Sequence, residues 1–150
     1  MVIQELMNLK NIELDFNVQT KDEAMNALAH ILLKNNAISN LSGFLKDVYE
    51  REEITSTGIG YGIAIPHAKS SYVTIPSVIF ARSDEGIPFE SMDGKDAHLF
   101  FMIAMPEDGT NAHLKVLAML SRKLMHRDFR EALLEAKTKE EVLSLLYTMN

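Results

Sequence analysis

The spacing of apolar residues predicts two amphipathic helices in the first third of the chain. Thr20 and Glu23 form a capping-box pattern, and Asn40 is a residue type that favours the position before a helix. Helically spaced apolar residues follow each start: Ala24, Leu28, Ile31 and Leu32, then Leu41, Phe44, Leu45 and Val48. The second helix is expected to end near 51–54, because the Thr-Ser-Thr-Gly run after it disfavours continuation.

Short apolar runs predict the strands. Alternation over 11–16 favours an edge strand, and 63–65 reads as a buried strand fragment. The runs over 78–82 and 98–105 predict two further strands, the second apolar at nearly every position, as in a central strand covered on both faces. The segment between them, 83–96, is rich in turn residues and predicts a loop or hairpin.

Helical periodicity returns in the last third of the chain. Thr110 or Asn111 is predicted to start a long helix that ends near His126. Shorter helices are predicted over 128–136 and 138–147, the second with a capping-box pattern at Thr138 and Glu141. No linker, repeat or low-complexity segment interrupts the pattern. Helices alternating with short strands therefore predict one α/β domain over residues 1–150, with helices packed on a central sheet.

Composition narrows the class of protein. The 150 residues are 47% hydrophobic, and 15 Lys plus Arg against 21 Asp plus Glu give a net charge of −6, which disfavours nucleic acid and anionic membranes as partners. No apolar run reaches the roughly 18–20 residues of a membrane span, and the N-terminus lacks the basic region of a signal peptide. With no cysteine for disulfides or thiolate chemistry, the expectation is a cytoplasmic domain without direct membrane insertion.

A glycine-alternating segment leads into a histidine: Gly58-Ile-Gly-Tyr-Gly-Ile-Ala-Ile-Pro-His67. Pro66 favours an extended residue before it, and the glycines permit close backbone approach with N–H groups turned toward an anion. An imidazole with a pKa of about 6.5 is mostly neutral and nucleophilic near pH 7, so His67 is a candidate phosphoryl acceptor. The alternative interpretation is a turn histidine beside glycines that serve only a tight loop.

Two matches to one family follow in order along the chain. Arg51-Glu-Glu-Ile-Thr-Ser-Thr-Gly58, followed by Gly62-Ile-Ala-Ile-Pro-His67-Ala-Lys69, resembles the phosphohistidine signature of the IIA components of the bacterial sugar phosphotransferase system, fructose/mannitol type. His113-Leu-Lys-Val-Leu-Ala-Met-Leu120 resembles the helix that carries the second active-site histidine of that family. The resemblance covers nearly the whole chain and implies a mixed, roughly five-stranded central sheet flanked by helices on both faces.

The resemblance also implies a function. His67 would accept a phosphoryl group through Nε2 from phosphorylated HPr and pass it to a cysteine of a IIB component during sugar uptake. Because this chain has no cysteine, IIB would be another chain, and membrane association would be indirect, through the IIC transporter. No metal or nucleotide cofactor is expected, since the donor is already activated and catalysis is mostly positioning. A regulatory IIA of the nitrogen-related branch, acting by protein binding, is the alternative.

His113 is expected to assist this transfer without becoming phosphorylated. If Thr110 caps the helix, His113 lies in its first turn, where the helix dipole disfavours a protonated ring. It shares an inward stripe with Leu117, Leu120 and Leu124. The alternative is a histidine at the edge of the core, satisfied by a backbone carbonyl.

Arg51 completes the expected catalytic set, because a guanidinium offers paired donors to phosphoryl oxygens. The alternative is a surface arginine paired with a neighbouring glutamate. The resemblance adds three weaker candidates for phosphoryl contacts, Ser56, Thr57 and Gly58, whereas Lys69 is expected to contribute only its charge.

Other chemistries lack a supporting pattern. The five histidines show no His-x-His, His-x-x-x-His or His-Glu-x-x-His spacing, so a metal-dependent hydrolase using His67 and His113 is a weak third hypothesis. The Gly-x-Gly-x-Gly run is not a nucleotide fingerprint. Five acidic residues form a segment that we expect either to steer a basic donor toward a docking face around His67 or to be a solvated loop: Asp84, Glu85, Glu90, Asp93 and Asp96.

Overall fold

The chain is described from a computed structural model that covers residues 2–108 and 110–149. Two short 3-10 helices, Ile3–Glu5 and Leu9–Asn11, precede the main elements. In chain order these are β1 (Ile12–Glu13), α1 (Lys21–Lys34), α2 (Leu41–Ile54), β2 (Gly58–Gly60), β3 (Ile63–Ala64), β4 (His67–Ser70), β5 (Ser77–Ile87), β6 (Ala97–Pro106), α3 (Ala112–Leu124), α4 (Arg127–Glu135) and α5 (Lys139–Tyr147).

The strands form one mixed sheet in the order β1-β5-β6-β3-β2, with β4 also paired to β6. β5 and β6 are antiparallel, whereas β3 and β4 both run parallel to β6, with Ile63 opposite Leu99 and His67 opposite Ile103. β3 and β4 thus lie end to end along one side of β6, interrupted before Pro66, which has no N–H to give to the ladder. The predicted mixed sheet is confirmed, and the sixth strand arises from this interruption.

Helices cover both faces of the sheet, as predicted. Alternate residues of β6 enter two apolar clusters: Phe101 and Ile103 join residues of α3, α4 and α5, while Phe100 and Met102 join residues of α1 and α2. All four side chains are fully buried, so β6 is the central strand that its continuous apolar run predicted.

The capping residues predicted three helix starts correctly. The Thr20, Asn40 and Thr138 side chains accept hydrogen bonds from the backbone N–H groups of Glu23, Gly43 and Glu141. The helix α2 ends at Ile54, within the predicted boundary. For α3, Asn111 is the residue before the helix, so the alternative start at Thr110 is wrong, because the Thr110 hydroxyl bonds the Asp108 carboxylate.

Two strand boundaries were predicted wrongly. The edge strand expected over 11–16 is only two residues long, because the 3-10 turn Leu9–Asn11 takes up its start. Conversely, the strand expected over 78–82 extends to Ile87, so the loop expected from residue 83 is shorter. A register irregularity between Arg82 and Ile87 allows this extension past polar residues that alternation alone reads as a loop.

Candidate functional site

His67 is held at the start of β4 with one ring nitrogen already occupied. The side chain is buried, 6% exposed, and its Nδ1 lies 2.9 Å from the carbonyl oxygen of Ile65. A carbonyl oxygen only accepts hydrogen bonds, so this contact places the proton on Nδ1. Nε2 therefore carries the lone pair and is the nucleophilic atom of the neutral ring.

The structure brings the three principal predicted residues together. His67, His113 and Arg51 line one surface depression of about 400 Å³, and the centroids of the two imidazole rings are 6.5 Å apart. A larger groove of about 760 Å³ lies between α4 and α5 and includes none of the three. The remaining lining residues of the His67 depression are Asp47, Glu50, Ile54, Ala68, Lys69, Leu114 and Leu117.

The environment keeps the His67 ring neutral. Burial lowers the pKa of His67; the hydrogen bond to Ile65 opposes this shift, and the charges of Arg51 and His113 add to it. The carboxylate of Glu52 opposes it as well, but the net direction is downward. A pKa below the ordinary value of about 6.5 means that a larger share of molecules carries a neutral, nucleophilic imidazole at pH 7 than for an unperturbed histidine.

We expect the titration of His67 to show this directly. In an NMR titration the ring should protonate below pH 6.5 or so, and Arg51→Gln should move the midpoint upward, because it removes a positive charge that opposes protonation. Arg127→Gln, at an exposed arginine on α4, is the matched control and should leave the midpoint in place. A midpoint that does not respond to Arg51→Gln would show that the guanidinium exerts no field on the ring.

His113 lies in the first turn of α3, as predicted, and is only partly buried. Burial lowers its pKa first, and the nearby ammonium of Lys69 lowers it further. Its Nδ1 is buried and, within the described residues, has no hydrogen-bond partner. The alternative of an Nδ1 satisfied by a backbone carbonyl is therefore not found, and this ring keeps unused hydrogen-bonding capacity beside His67.

Arg51 occupies the last turn of α2. Its Nη1 donates to the carbonyl oxygen of Thr55 at 3.1 Å, and among the described residues it forms no ion pair. The alternative interpretation, an arginine paired with a neighbouring glutamate, is therefore not found. Lys69, on β4, donates from Nζ to the carbonyl oxygen of Thr110 at 3.3 Å. Two positive side chains therefore border the depression.

The three weaker candidates do not line the depression. The Ser56 hydroxyl donates to the carbonyl of Phe89 and accepts from the N–H of Gly58. Thr57 donates from both its N–H and its hydroxyl to the carboxylate of Glu52. These groups are occupied within the protein, and their predicted contacts with a phosphoryl group stay predictions without geometric support.

The glycine run forms the turn of a hairpin. Gly60, Tyr61 and Gly62 have φ angles of 94°, 57° and 76°, a left-handed conformation in which glycine is favoured. The N–H of Tyr61 donates to the carboxylate of Asp93, so it is not directed at the His67 depression. This geometry matches the tight-loop interpretation of the glycines and not an anion cradle.

None of the five acidic residues of the predicted steering segment lines the His67 depression. Ile87 pairs with Ala97 at one end of β6, whereas His67 pairs with Ile103 six positions further along, about 20 Å away in an extended strand. Glu90, further along the same segment, lies 3.4 Å from the Lys21 ammonium that also binds Glu52, and the steering role of the segment stays a prediction. The carboxylates that line the depression are those of Asp47 and Glu50, four residues and one residue before Arg51 on α2.

Sequence reasoning missed Asp47, although its spacing carries a signal. Asp47 precedes Arg51 by four residues, which places the two side chains on one face of α2. Its carboxylate accepts a hydrogen bond of 2.6 Å from the hydroxyl of Ser70 on β4. This bond joins α2 to the strand that carries His67.

The fold and the grouped side chains define an α/β domain of the phosphotransfer class. The family model described as phosphoenolpyruvate-dependent sugar phosphotransferase system, EIIA 2, matches residues 5–149. This chain belongs to that family, whose members are phosphotransfer proteins.

Similar proteins carry both a transport and a regulatory name. A fructose-specific EIIA component of Haloferax volcanii is 43% identical over 96% of this chain and 94% of its own length. The crystal structure of nitrogen regulatory protein IIA-Ntr from Neisseria meningitidis superposes with a TM-score of 0.89 at 32% identity, covering 96% of this chain and 98% of that one. The IIA chain in the complex of enzyme IIA-Mtl with phosphorylated enzyme IIB-Mtl from Escherichia coli gives a TM-score of 0.82 at 27% identity, covering 95% and 97%.

The described part of the chain contains neither a membrane-spanning helix nor a metal-binding cluster. Over residues 2–108 and 110–149, no helix combines the length and apolar character needed to cross a bilayer. Over the same residues, no group of three or more histidine, cysteine or acidic side chains is arranged to hold a metal ion.

Proposed function

We propose that this chain is a phosphoryl carrier that accepts a phosphoryl group from phosphorylated HPr on Nε2 of His67 and passes it to a cysteine of a separate IIB chain. One observation carries the proposal. The buried ring of His67 has Nδ1 bonded to a backbone carbonyl, which leaves Nε2 as the free nitrogen beside His113 and Arg51.

In the accepting step, the Nε2 lone pair attacks phosphorus and a new N–P bond forms. The N–P bond to the donor imidazole breaks, and its electron pair returns to the donor nitrogen. The imidazole ring of His67 becomes positively charged, because Nδ1 keeps its proton, while the negative charge stays on the phosphoryl oxygens. The Ile65 carbonyl oxygen, which lies 2.9 Å from Nδ1 and accepts its hydrogen bond, stabilises the positive charge that develops on the ring.

The onward step reverses this chemistry with a thiolate. The cysteine sulfur of IIB attacks phosphorus, the N–P bond to His67 breaks, and the neutral imidazole is regenerated. Transfer of this kind places most of its changing charge on the phosphoryl oxygens, so catalysis depends on nearby positive groups. Positive electrostatic potential at the depression comes from Arg51 and Lys69. The N-terminal end of α3, where His113 lies, adds to it.

Docking is proposed to use the same surface. Ile54 and Leu114 line the depression and are 78% and 53% exposed, so apolar side chains flank the reactive ring. The carboxylates of Asp47 and Glu50 lie among them and suit a basic partner such as HPr. Family members partner with IIB components, as in the complex with IIB-Mtl, and we propose a IIB chain as the acceptor here.

Reconstitution tests the proposal. Incubation of the chain with enzyme I, HPr and phosphoenolpyruvate should give a phosphoprotein that is labile in acid and stable in base, as a phosphohistidine is. Addition of a cognate IIB domain should then remove the label. A chain that takes up no label under conditions that phosphorylate an established fructose IIA would contradict the proposed function.

His113→Ala should slow onward transfer to IIB while His67 can still be labelled. The physical reason is that a neutral ring in the first turn of α3 can donate a hydrogen bond to a phosphoryl oxygen without competing as nucleophile. Rapid-quench measurement of label loss to IIB checks this, with His30→Ala, at an exposed histidine of α1, as the control. Unchanged rates in both directions would reduce His113 to a packing residue.

A second function has its own support. The similarity to IIA-Ntr of Neisseria meningitidis, with a TM-score of 0.89, favours a regulatory protein that takes up a phosphoryl group but acts by binding target proteins. The same reconstitution separates the two functions. A transport component should lose its label to a fructose-type IIB within the time of the assay, whereas a regulator should keep it.

A further inference from the structure

A buried carboxylate lies directly beside Arg51 in the chain and outside the depression. The side chain of Glu52 is 5% exposed and takes three hydrogen-bond donors. The N–H of Thr57 lies 2.8 Å from one carboxylate oxygen and the Thr57 hydroxyl 2.6 Å from the other, while Nζ of Lys21 lies 2.8 Å away. The proposed transfer mechanism makes no use of this group.

Glu52 is held in its ionised form. Burial alone would raise its pKa, but the hydrogen bonds from Lys21 and Thr57 and the charge of Lys21 bring the pKa below its ordinary value. Lys21 also contacts Glu90 at 3.4 Å and lies 4.8 Å from the ring centroid of Phe89. The cluster therefore joins the start of α1, the end of α2 and two loops.

The cluster controls the short segment to which Arg51 is bonded. Arg51 donates to the carbonyl oxygen of Thr55, the residue that follows the last turn of α2. Two residues further on, both donors of Thr57 are fixed by Glu52. Glu52 thus fixes Thr57 by two hydrogen bonds, and the chain connects Thr57 to Thr55. The carbonyl of Thr55 in turn accepts the hydrogen bond from the Arg51 guanidinium.

We propose that Glu52 is a positioning residue, which fixes the Arg51 guanidinium at the His67 depression by holding the segment from Thr55 to Thr57. This inference rests on the proposed function, because it needs a phosphoryl group for Arg51 to meet. It also assigns Thr57 an indirect part in transfer: its hydroxyl bonds the positioning carboxylate and does not contact the substrate.

A buried ion pair is weak evidence for stability alone, because apolar residues of similar volume often stabilise a fold as well. Directional bonds matter more for geometry. The two Glu52 oxygens bond two donors of one residue, which restrains both the position and the orientation of Thr57. Since misplacing a catalytic group by about 1 Å can cost on the order of 10²-fold in rate, such a restraint has a measurable consequence.

A double-mutant cycle with Arg51 tests the inference on the reconstituted transfer from HPr. Glu52→Ala alone should slow labelling of His67 on the order of 10²-fold, with the loss in the maximal rate and not in the concentration of HPr that half-saturates it. In an Arg51→Ala background, Glu52→Ala should cause almost no further loss, because the group it positions is gone. Glu53→Gln, at the exposed neighbour, is the matched control and should keep the wild-type rate.

Two milder variants keep the test decisive if Glu52→Ala does not fold. Glu52→Gln keeps the shape and an acceptor for the Thr57 N–H, and Thr57→Val removes only the hydroxyl bond. Both should show smaller losses that also vanish in the Arg51→Ala background. Thermal unfolding followed by circular dichroism reports whether each variant is folded at the assay temperature.

The outcomes separate this inference from the function on which it rests. Absence of label on the wild-type chain would overturn the proposed function itself. A labelled wild-type chain whose Glu52→Gln and Thr57→Val variants slow transfer equally with and without Arg51, or not at all, would overturn the positioning role. Loss confined to the backgrounds that contain Arg51 would support it.

Discussion

His67→Ala should abolish uptake of label from phosphorylated HPr. The variant removes the nitrogen that attacks phosphorus, and the other ring at the depression, His113, is expected to assist and not to substitute for it. Mass spectrometry of the intact chain after incubation with enzyme I, HPr and phosphoenolpyruvate measures the result. Label in the variant should fall to the background seen without enzyme I.

The matched control for this experiment is His126→Ala. His126 is exposed, precedes α4 and makes no side-chain capping bond, so its loss should leave labelling unchanged. Full stoichiometric labelling of His67→Ala would show that another residue is the acceptor. Partial labelling that disappears in the His67→Ala/His113→Ala double variant would instead identify His113 as a second acceptor and contradict its assisting role.

Arg51→Lys should lower the rate of phosphoryl transfer on the order of 10²–10³-fold, about the loss seen when one preorganised donor to a developing anion is removed. A single ammonium cannot reproduce the paired donors of the guanidinium, nor keep the geometry set by the bond to Thr55. The single-turnover rate of His67 labelling, at saturating phosphorylated HPr, is the measurement.

Arg127→Lys provides the comparison for Arg51. Arg127 is an exposed arginine paired with Glu131 on α4, so the same exchange there should be silent in transfer. If Arg51→Lys retained the wild-type rate, the guanidinium would have no special role, and the positive charge of Arg51 would act only as part of the field around His67.

The grouping of His67, His113 and Arg51 was predicted through the family resemblance and not through spacing. The three residues belong to β4, α3 and α2, which are far apart in the chain. Local patterns identify a helix or a strand, but which ends of these elements meet depends on sheet order. The parallel pairing of β4 with β6 brings His67 to the end of β6 from which the chain enters α3, and no periodicity in the sequence encodes that pairing.

The acidic segment over 84–96 illustrates the same limit. Acidic residues in a loop between two strands are visible in the sequence, but the end of the sheet at which the loop lies follows from strand direction. The hydrogen-bond partners of Ser56, Thr57 and Gly58 could not be predicted from the sequence for a different reason. A hydroxyl or N–H near a signature motif is equally available to a phosphoryl group or to the protein. Here the donors of Thr57 bond Glu52, the Ser56 hydroxyl bonds Phe89, and the Gly58 N–H bonds the Ser56 hydroxyl.

The carbonyl that holds Nδ1 of His67 belongs to the main chain at Ile65. In many enzymes the tautomer of a catalytic histidine depends on an aspartate side chain, and one substitution there removes it. Here any residue that folds into the same backbone geometry at position 65 supplies the same oxygen. A side-chain substitution at position 65 should therefore leave the protonation pattern of the reactive ring unchanged, unless the substitution moves the backbone carbonyl.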